Sequence, residues 1–292
     1  MLRSSILGPV HAIDTKEERN GLMAEGVASS RFASDLAAEP TEPEEFSIPA
    51  EPEERLVSIN EPSALGAELL RTLASRLRLV QKRHPIRKLL VTSAVPNEGK
   101  TVISANLSIT LALYQKRVLL IDGDLRSASL SRRLDIVDDS FESNGRRERP
   151  YHFPSLRKAK RLPLWVIPAG KPVELPSKIL QMSDFADALA AIERDFDWIV
   201  IDSPPLVPFG DAEVLASLSD AVILVTRKGV TPKNLLRDAL KSFDKSKIIA
   251  TILNCADVSS HKYYREYYSH LRGTLPAPSD ADRSHPPILD RK

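Results

Sequence analysis

Leu89-Leu90-Val91-Thr92-Ser93-Ala94-Val95-Pro96-Asn97-Glu98-Gly99-Lys100-Thr101 is followed closely by the helical pattern ANLSITLALY at 105–114. A short apolar run, a loop closing on Gly-Lys-Thr and a helix make a strand–loop–helix unit. In such a unit the helix N-terminus directs unpaired N–H groups and its positive dipole end at phosphate oxygens. A lysine reaches the β and γ phosphates and a hydroxyl ligates Mg²⁺. Lys100 and Thr101 fit those two roles, and Pro96, Asn97, Glu98, Gly99 and Val102 complete the expected nucleotide-binding loop. Ala94 stands where the general pattern wants Gly, and Asn97 where a second Gly is frequent. Asn enters the left-handed backbone region readily, so Asn97 is expected to support the turn. The plainer reading, a surface turn with a chance Gly-Lys-Thr, is opposed by the strand before it and the helix after it.

Working outward, Val118 to Arg126 reads VLLIDGDLR and Trp198 to Pro205 reads WIVIDSPP. Each is a buried-strand pattern that delivers acids at its C-terminal end, the edge of an open parallel sheet where ligands sit. Three carboxylates then converge beside one phosphate loop. Phosphoryl transfer requires charge neutralisation, Mg²⁺ held by oxygen ligands and an acceptor in line. ATP and Mg²⁺ are the expected cofactors. Asp124 and Asp202 suit the metal together with Thr101, and Asp122 suits the positioning or deprotonation of the nucleophile. Arg126 either covers developing charge or makes a structural ion pair with one of these acids.

Further along, LWVIPAG, AVILVTR and IIATILN read as strands, with helices near Asp184 to Arg194 and from Pro62 onward. In the latter, Leu65, Leu69, Leu73, Leu77 and Val80 mark an amphipathic stripe ending before Pro85. Strands alternating with helices define an α/β chain of the P-loop NTPase type, a mostly parallel central sheet with helices on both faces. Cys255 reads as a small buried residue, Trp165 and Trp198 as core, and Asp211 as the cap of the helix after it.

The 292 residues carry a formal charge of +2, 42% hydrophobic content, 11 Gly, 22 Pro and one Cys. That is enough apolar content for one sizeable core and excludes collagen-like, disulfide-framework and Cys-built zinc classes. A reducing compartment fits a lone cysteine. No apolar run approaches the ~18 residues of a spanning helix, and the first residues lack a signal-peptide core. A cytoplasmic chain is expected, with any membrane role supplied by a partner.

Charge divides the chain. Residues 1–54 carry net −8 and the remainder net +10. Residues 1–54 are expected to be an acidic, disordered arm, with order beginning near Pro62; 55–258 is the P-loop domain and 259–292 a tail. Within the domain, 138–161 is strongly basic in its second half and reads as an exposed insertion, a solvated loop rather than a nucleic-acid patch. No nucleic acid is expected as a partner.

SAVPNEGKT, LLIDGDLR, VIDSPP, GDAEVLASLSDAVILVTR and ILN resemble the motifs of the bacterial tyrosine kinases of capsule and exopolysaccharide synthesis, over about Glu68 to Asp257. The resemblance implies a protein-tyrosine autokinase using Lys100, Asp122, Asp124 and Arg126, with tyrosines in the segment HKYYREYYSHL as acceptors. Those are Tyr263, Tyr264, Tyr267 and Tyr268, four of the six in the chain. It also implies an integral-membrane co-polymerase whose cytoplasmic tail activates the kinase, recruitment to the inner face of the membrane, a homo-oligomer and an opposing tyrosine phosphatase. The family's ring contact uses E-x-x-R-x-x-R; here Glu68 and Arg71 are followed by Ala74. The related positioning ATPases carry a signature Lys where this chain has Val95. A nucleotide-gated switch or scaffold without kinase activity is the alternative reading.

Overall fold

The strands form where β-branched and leucine runs appear, and the helices where the period lengthens. In chain order they are β1 (Glu44–Phe46), α1 (Val57–Asn60), α2 (Leu65–Gln81), β2 (Lys88–Ser93), α3 (Lys100–Leu113), β3 (Val118–Asp122), α4 (Ser129–Arg133) and β4 (Arg157–Ala159). Then come β5 (Leu164–Ile167), α5 (Ser183–Ile192), β6 (Trp198–Asp202), α6 (Asp211–Ser217), β7 (Ala221–Arg227), α7 (Lys233–Ala239) and β8 (Ile248–Asn254). This computed structural model describes residues 43–136, 156–169, 176, 180, 183–241 and 243–256.

The strands join in one sheet of order β1-β4-β5-β3-β6-β2-β7-β8. All neighbouring pairs are parallel except β4 with β5. The central strands are buried on both faces, which is why they read as near-continuous apolar runs. Leu89, Val91, Leu120, Val200 and Ile223 face α2 and α3. Their sequence neighbours Leu90, Leu119, Ile121, Ile199 and Leu224 face α5 and α6. The expected doubly covered sheet is therefore present. From β2 the chain crosses to β3 on one side, whereas from β6 it crosses to β7 on the other. The crevice at the C-terminal ends of β3, β6 and β2 is thus a topological switch point.

Four local expectations need correction. Order begins well before Pro62. Residues 43–54 of the acidic arm are folded, with β1 paired to β4 through Glu44↔Arg157 and Phe46↔Ala159. Phe46 and Leu56 are buried, Glu44 pairs with Arg157, and Glu54 with Arg133 at 3.0 Å. Composition averaged over 1–54 hid these apolar anchors and the basic partners that neutralise the acids. Residues 1–42 lie outside the described residues.

By the same pairing, the end of the 138–161 insertion is strand rather than exposed loop, with Ala159 buried in the core; 137–155 lie outside the described residues. The buried face of α2 is Ala67, Leu70, Ala74 and Leu77, and Leu69 is 38% exposed. Leu73, Leu77 and Val80 of the expected stripe do pack on the core, but the stripe overlooked Leu70 and the alanines, which let α2 lie close to the core. Cys255 is exposed, at φ 53 just past β8. Trp198 is fully buried as expected, and Trp165 meets Phe196 edge-on at 5.4 Å between centroids.

Candidate active site

The loop between β2 and α3 takes the backbone that its residues dictate. Asn97 sits at φ 63 and Gly99 at φ 92, both in the left-handed region. At Gly99 a Cβ would also collide with the side-chain amide of Asn254, which donates to the Glu98 carbonyl at 2.9 Å. No side chain caps α3, so its leading amides remain available to an anion. Glu98 is fully buried, and its carboxylate accepts from the amides of Val95 (3.0 Å) and Arg227 (3.2 Å) and from the Thr231 hydroxyl. The side chain thus braces the loop against the end of β7, leaving only the Glu98 backbone for a nucleotide. Leu206 and Val207 donate to the carbonyls of Ser93 and Ala94, tying the loop's first residues to the segment after β6.

Lys100 opens α3 and lies 3.4 Å from Asp124. Asp122 and Asp202 are register partners on β3 and β6, so the two carboxylates arrive side by side. Gly123 makes that approach feasible, since a Cβ there would stand 2.7 Å from the Asp202 carbonyl and 2.9 Å from Leu215. Ser104, one turn beyond Lys100, donates to Asp202 Oδ1 at 2.9 Å. Thr101 and Ser129 share a hydroxyl–hydroxyl bond of 3.1 Å. The structure therefore brings together Lys100, Thr101, Asp122, Asp124 and Asp202.

Burial, and then the charge of Asp202, pushes the Asp122 carboxyl up to about 7, against the hydrogen bonds from Ser131. Burial likewise raises Asp202, opposed by the Lys100 ammonium and the hydroxyls of Thr101 and Ser104. Excess negative charge with one ammonium nearby is an environment that favours a cation. Asp202 Oδ2 is buried without a hydrogen-bond partner, an acceptor left for a ligand to satisfy. These residues fit Mg²⁺. Among the described residues no group of three or more His, Cys, Asp or Glu side chains could hold a metal. Mg²⁺ keeps water and phosphate ligands beside one or two carboxylates.

Arg126 is placed differently from the three acids. Its Nε pairs with Asp211 at 2.8 Å, and its guanidinium lies 3.9 Å over the Phe209 ring. The expected structural pairing is present, but with an acid outside the three motifs. Asp211 opens α6 as its first residue, with Gly210 as the cap, so it serves Arg126 rather than capping. Sequence reasoning missed Ser104, Ser129, Ser131 and Asn254. Only Ser104 carried a local signal, its four-residue spacing from Lys100. Tyr263, Tyr264, Tyr267 and Tyr268 lie outside the described residues.

A phosphate loop and paired acidic strand tips at a switch point define a P-loop nucleotide-binding protein. The CobQ/CobB/MinD/ParA nucleotide binding domain model matches residues 89–275. The tyrosine-protein kinase CpsD of Streptococcus agalactiae is 30% identical over 185 residues, 60% of this chain and 78% of that protein. The chain belongs to the CobQ/CobB/MinD/ParA nucleotide-binding family and, within it, to the bacterial tyrosine-protein kinases. The succinoglycan biosynthesis transport protein ExoP of Rhizobium meliloti is 28% identical over 233 residues, 74% of this chain and 29% of that protein. The kinase domain of the Escherichia coli tyrosine kinase ETK shares the fold, with a TM-score of 0.58 and 21% identity over 78% of this chain and 94% of that one. The resemblance read from the motifs is borne out. Among the described residues no helix is long and apolar enough to cross a membrane.

Proposed function

We propose that this chain is an ATP- and Mg²⁺-dependent protein-tyrosine kinase that phosphorylates its own Tyr263, Tyr264, Tyr267 and Tyr268 and serves exopolysaccharide or capsule synthesis and export. The observation that carries the reading is the convergence of Lys100, Asp122, Asp124 and Asp202 at one sheet edge beside an uncapped helix N-terminus. The loop amides and Lys100 bind the phosphates and orient the γ-phosphoryl group. Thr101, Asp124 and Asp202 are the residues that would hold Mg²⁺, which would supply charge neutralisation to the phosphates. Asp122 accepts the phenol proton as the tyrosine oxygen bonds to the γ-phosphorus. The bridging bond to the β-phosphate breaks with its electron pair, releasing ADP.

Similarity to a transport protein of succinoglycan biosynthesis supports work at the membrane, and the resemblance to the capsule kinases adds an integral-membrane co-polymerase whose cytoplasmic tail completes the site. The chain then works in the cytoplasm at the inner membrane face, as a homo-oligomer, with a tyrosine phosphatase resetting it. Ala74 packs against the core on α2, so assembly does not use an arginine there. Purified chain incubated with Mg²⁺ and ATP, with and without an activator tail, should accumulate phosphotyrosine. Lys100→Met should reduce the rate by on the order of 10² to 10⁵; undiminished labelling would remove the mechanism. Replacing all four tail tyrosines by Phe separates the kinase from a nucleotide switch, which would continue to bind and release its partner.

A further inference from the structure

Asp122 ends a strand, and a carboxylate there can rotate about its last bond unless something holds it. Ser131 on α4 is 1% exposed and meets the same Asp122 oxygen twice. Its amide donates to Oδ2 at 2.9 Å and its hydroxyl donates to Oδ2 at 2.7 Å. The hydroxyl oxygen in turn accepts from the Ala169 amide at 3.0 Å. A hydroxyl has one proton, and here that proton is committed to Asp122 while a lone pair is taken by Ala169. Its direction is therefore fixed by the backbone just past β5. Among the described residues the other oxygen, Asp122 Oδ1, receives only a 3.3 Å contact from the Asp124 amide.

We infer that Ser131 is a positioning residue that clamps Asp122 through Oδ2, with Ala169 fixing its hydroxyl, and so presents Oδ1 to the incoming tyrosine hydroxyl. The inference rests on the role given to Asp122 under Proposed function. The same five-residue helix places Ser129 against Thr101, so α4 sets both the metal-side hydroxyl and the acceptor-side carboxylate. Ser131 touches neither the phosphate loop nor the metal-side acids in any described hydrogen bond. Its contribution belongs to the chemical step and not to nucleotide binding. Misplacing a reacting group by about 1 Å costs roughly 10²-fold in rate. Ser131→Ala retains the amide donor, so a smaller loss is expected.

The test uses the full chain with Mg²⁺·ATP. Ser131→Ala should lower kcat for tyrosine phosphorylation ~10- to 100-fold, with KM for ATP changed by less than about threefold. Ser131→Thr, which keeps the donor, should recover most of the rate. In the background of Asp122→Asn, Ser131→Ala should add little further loss, because both act on one carboxylate. An unchanged kcat in Ser131→Ala, or a loss seen wholly in KM for ATP, overturns the inference while the kinase reading stands. A wild-type chain that makes no phosphotyrosine under any condition overturns the kinase reading first, and this inference with it.

Discussion

Asp122 illustrates how much a single residue can cost the fold for the sake of chemistry. Its carboxyl is raised to about 7 in the folded chain by burial and by Asp202, against an unfolded value of about 3.9. Between those values the native state holds a proton that the unfolded state has released, so stability falls as pH rises through the window and the cost is complete above pH 7. Asp122→Asn should therefore raise the melting temperature at pH 8, by an amount corresponding to on the order of a few kcal/mol, and the gain should vanish near pH 4. Thermal melts across pH check it; a gain independent of pH would contradict this electrostatic account. Gly99 works through conformation instead. Gly99→Ala places a Cβ at φ 92 and against Asn254, so ATP affinity should fall at least tenfold by calorimetric titration. Asn254→Ala should not restore it, because removing the amide leaves the backbone conformation just as unfavourable.

α4 shows what an element of five residues can link. Ser129 reaches Thr101, Ser131 reaches Asp122, and Arg133 donates to both the carbonyl and the carboxylate of Glu54, at 2.6 and 3.0 Å. The acidic strand β1 and the turn after it thus hold the helix that holds the site. Charge-assisted hydrogen bonds are each worth about 1.5–3 kcal/mol, less where solvent screens them. Arg133→Ala should lower stability by ~1–2 kcal/mol in denaturant titration and reduce the phosphorylation rate more than ATP affinity. Equal stability of variant and wild type would mean that the backbone ladder, Phe46 and the Glu44–Arg157 pair hold this segment without help from Arg133. None of this was legible in the acidic run itself, because the partners of Glu44 and Glu54 lie more than 75 residues away.

At the scale of the whole molecule, charge would organise the proposed reaction cycle. Full phosphorylation of the four tail tyrosines would add roughly −6 to −8 charge to a slightly basic segment. In the proposed autophosphorylation the tail enters a site that carries Asp122, Asp124 and Asp202. Product repulsion should release the tail, so native mass spectrometry should show a smaller oligomer after exhaustive phosphorylation than before. One unchanged oligomeric state would overturn this cycle. Removing Mg²⁺ with chelator should abolish phosphotyrosine formation and leave the fold intact in circular dichroism, because the core lies on the two sheet faces and not at the metal.

Local periodicity and motif were enough to identify the parallel sheet, the phosphate loop with its left-handed Asn97, and the acids at the tips of β3 and β6. Each of these is dictated by neighbouring residues: an apolar run must be buried, an Asn enters the left-handed region readily, and a strand ending in Asp delivers a carboxylate to the sheet edge. Pairings between distant side chains were settled only when the sheet assembled. Arg126 chose Asp211 over the three motif acids, Glu98 turned inward to Thr231, Ser131 met Asp122, and the acidic strand found β4. Such choices depend on which groups lose water together, and that is decided by strand order and helix placement across the whole chain.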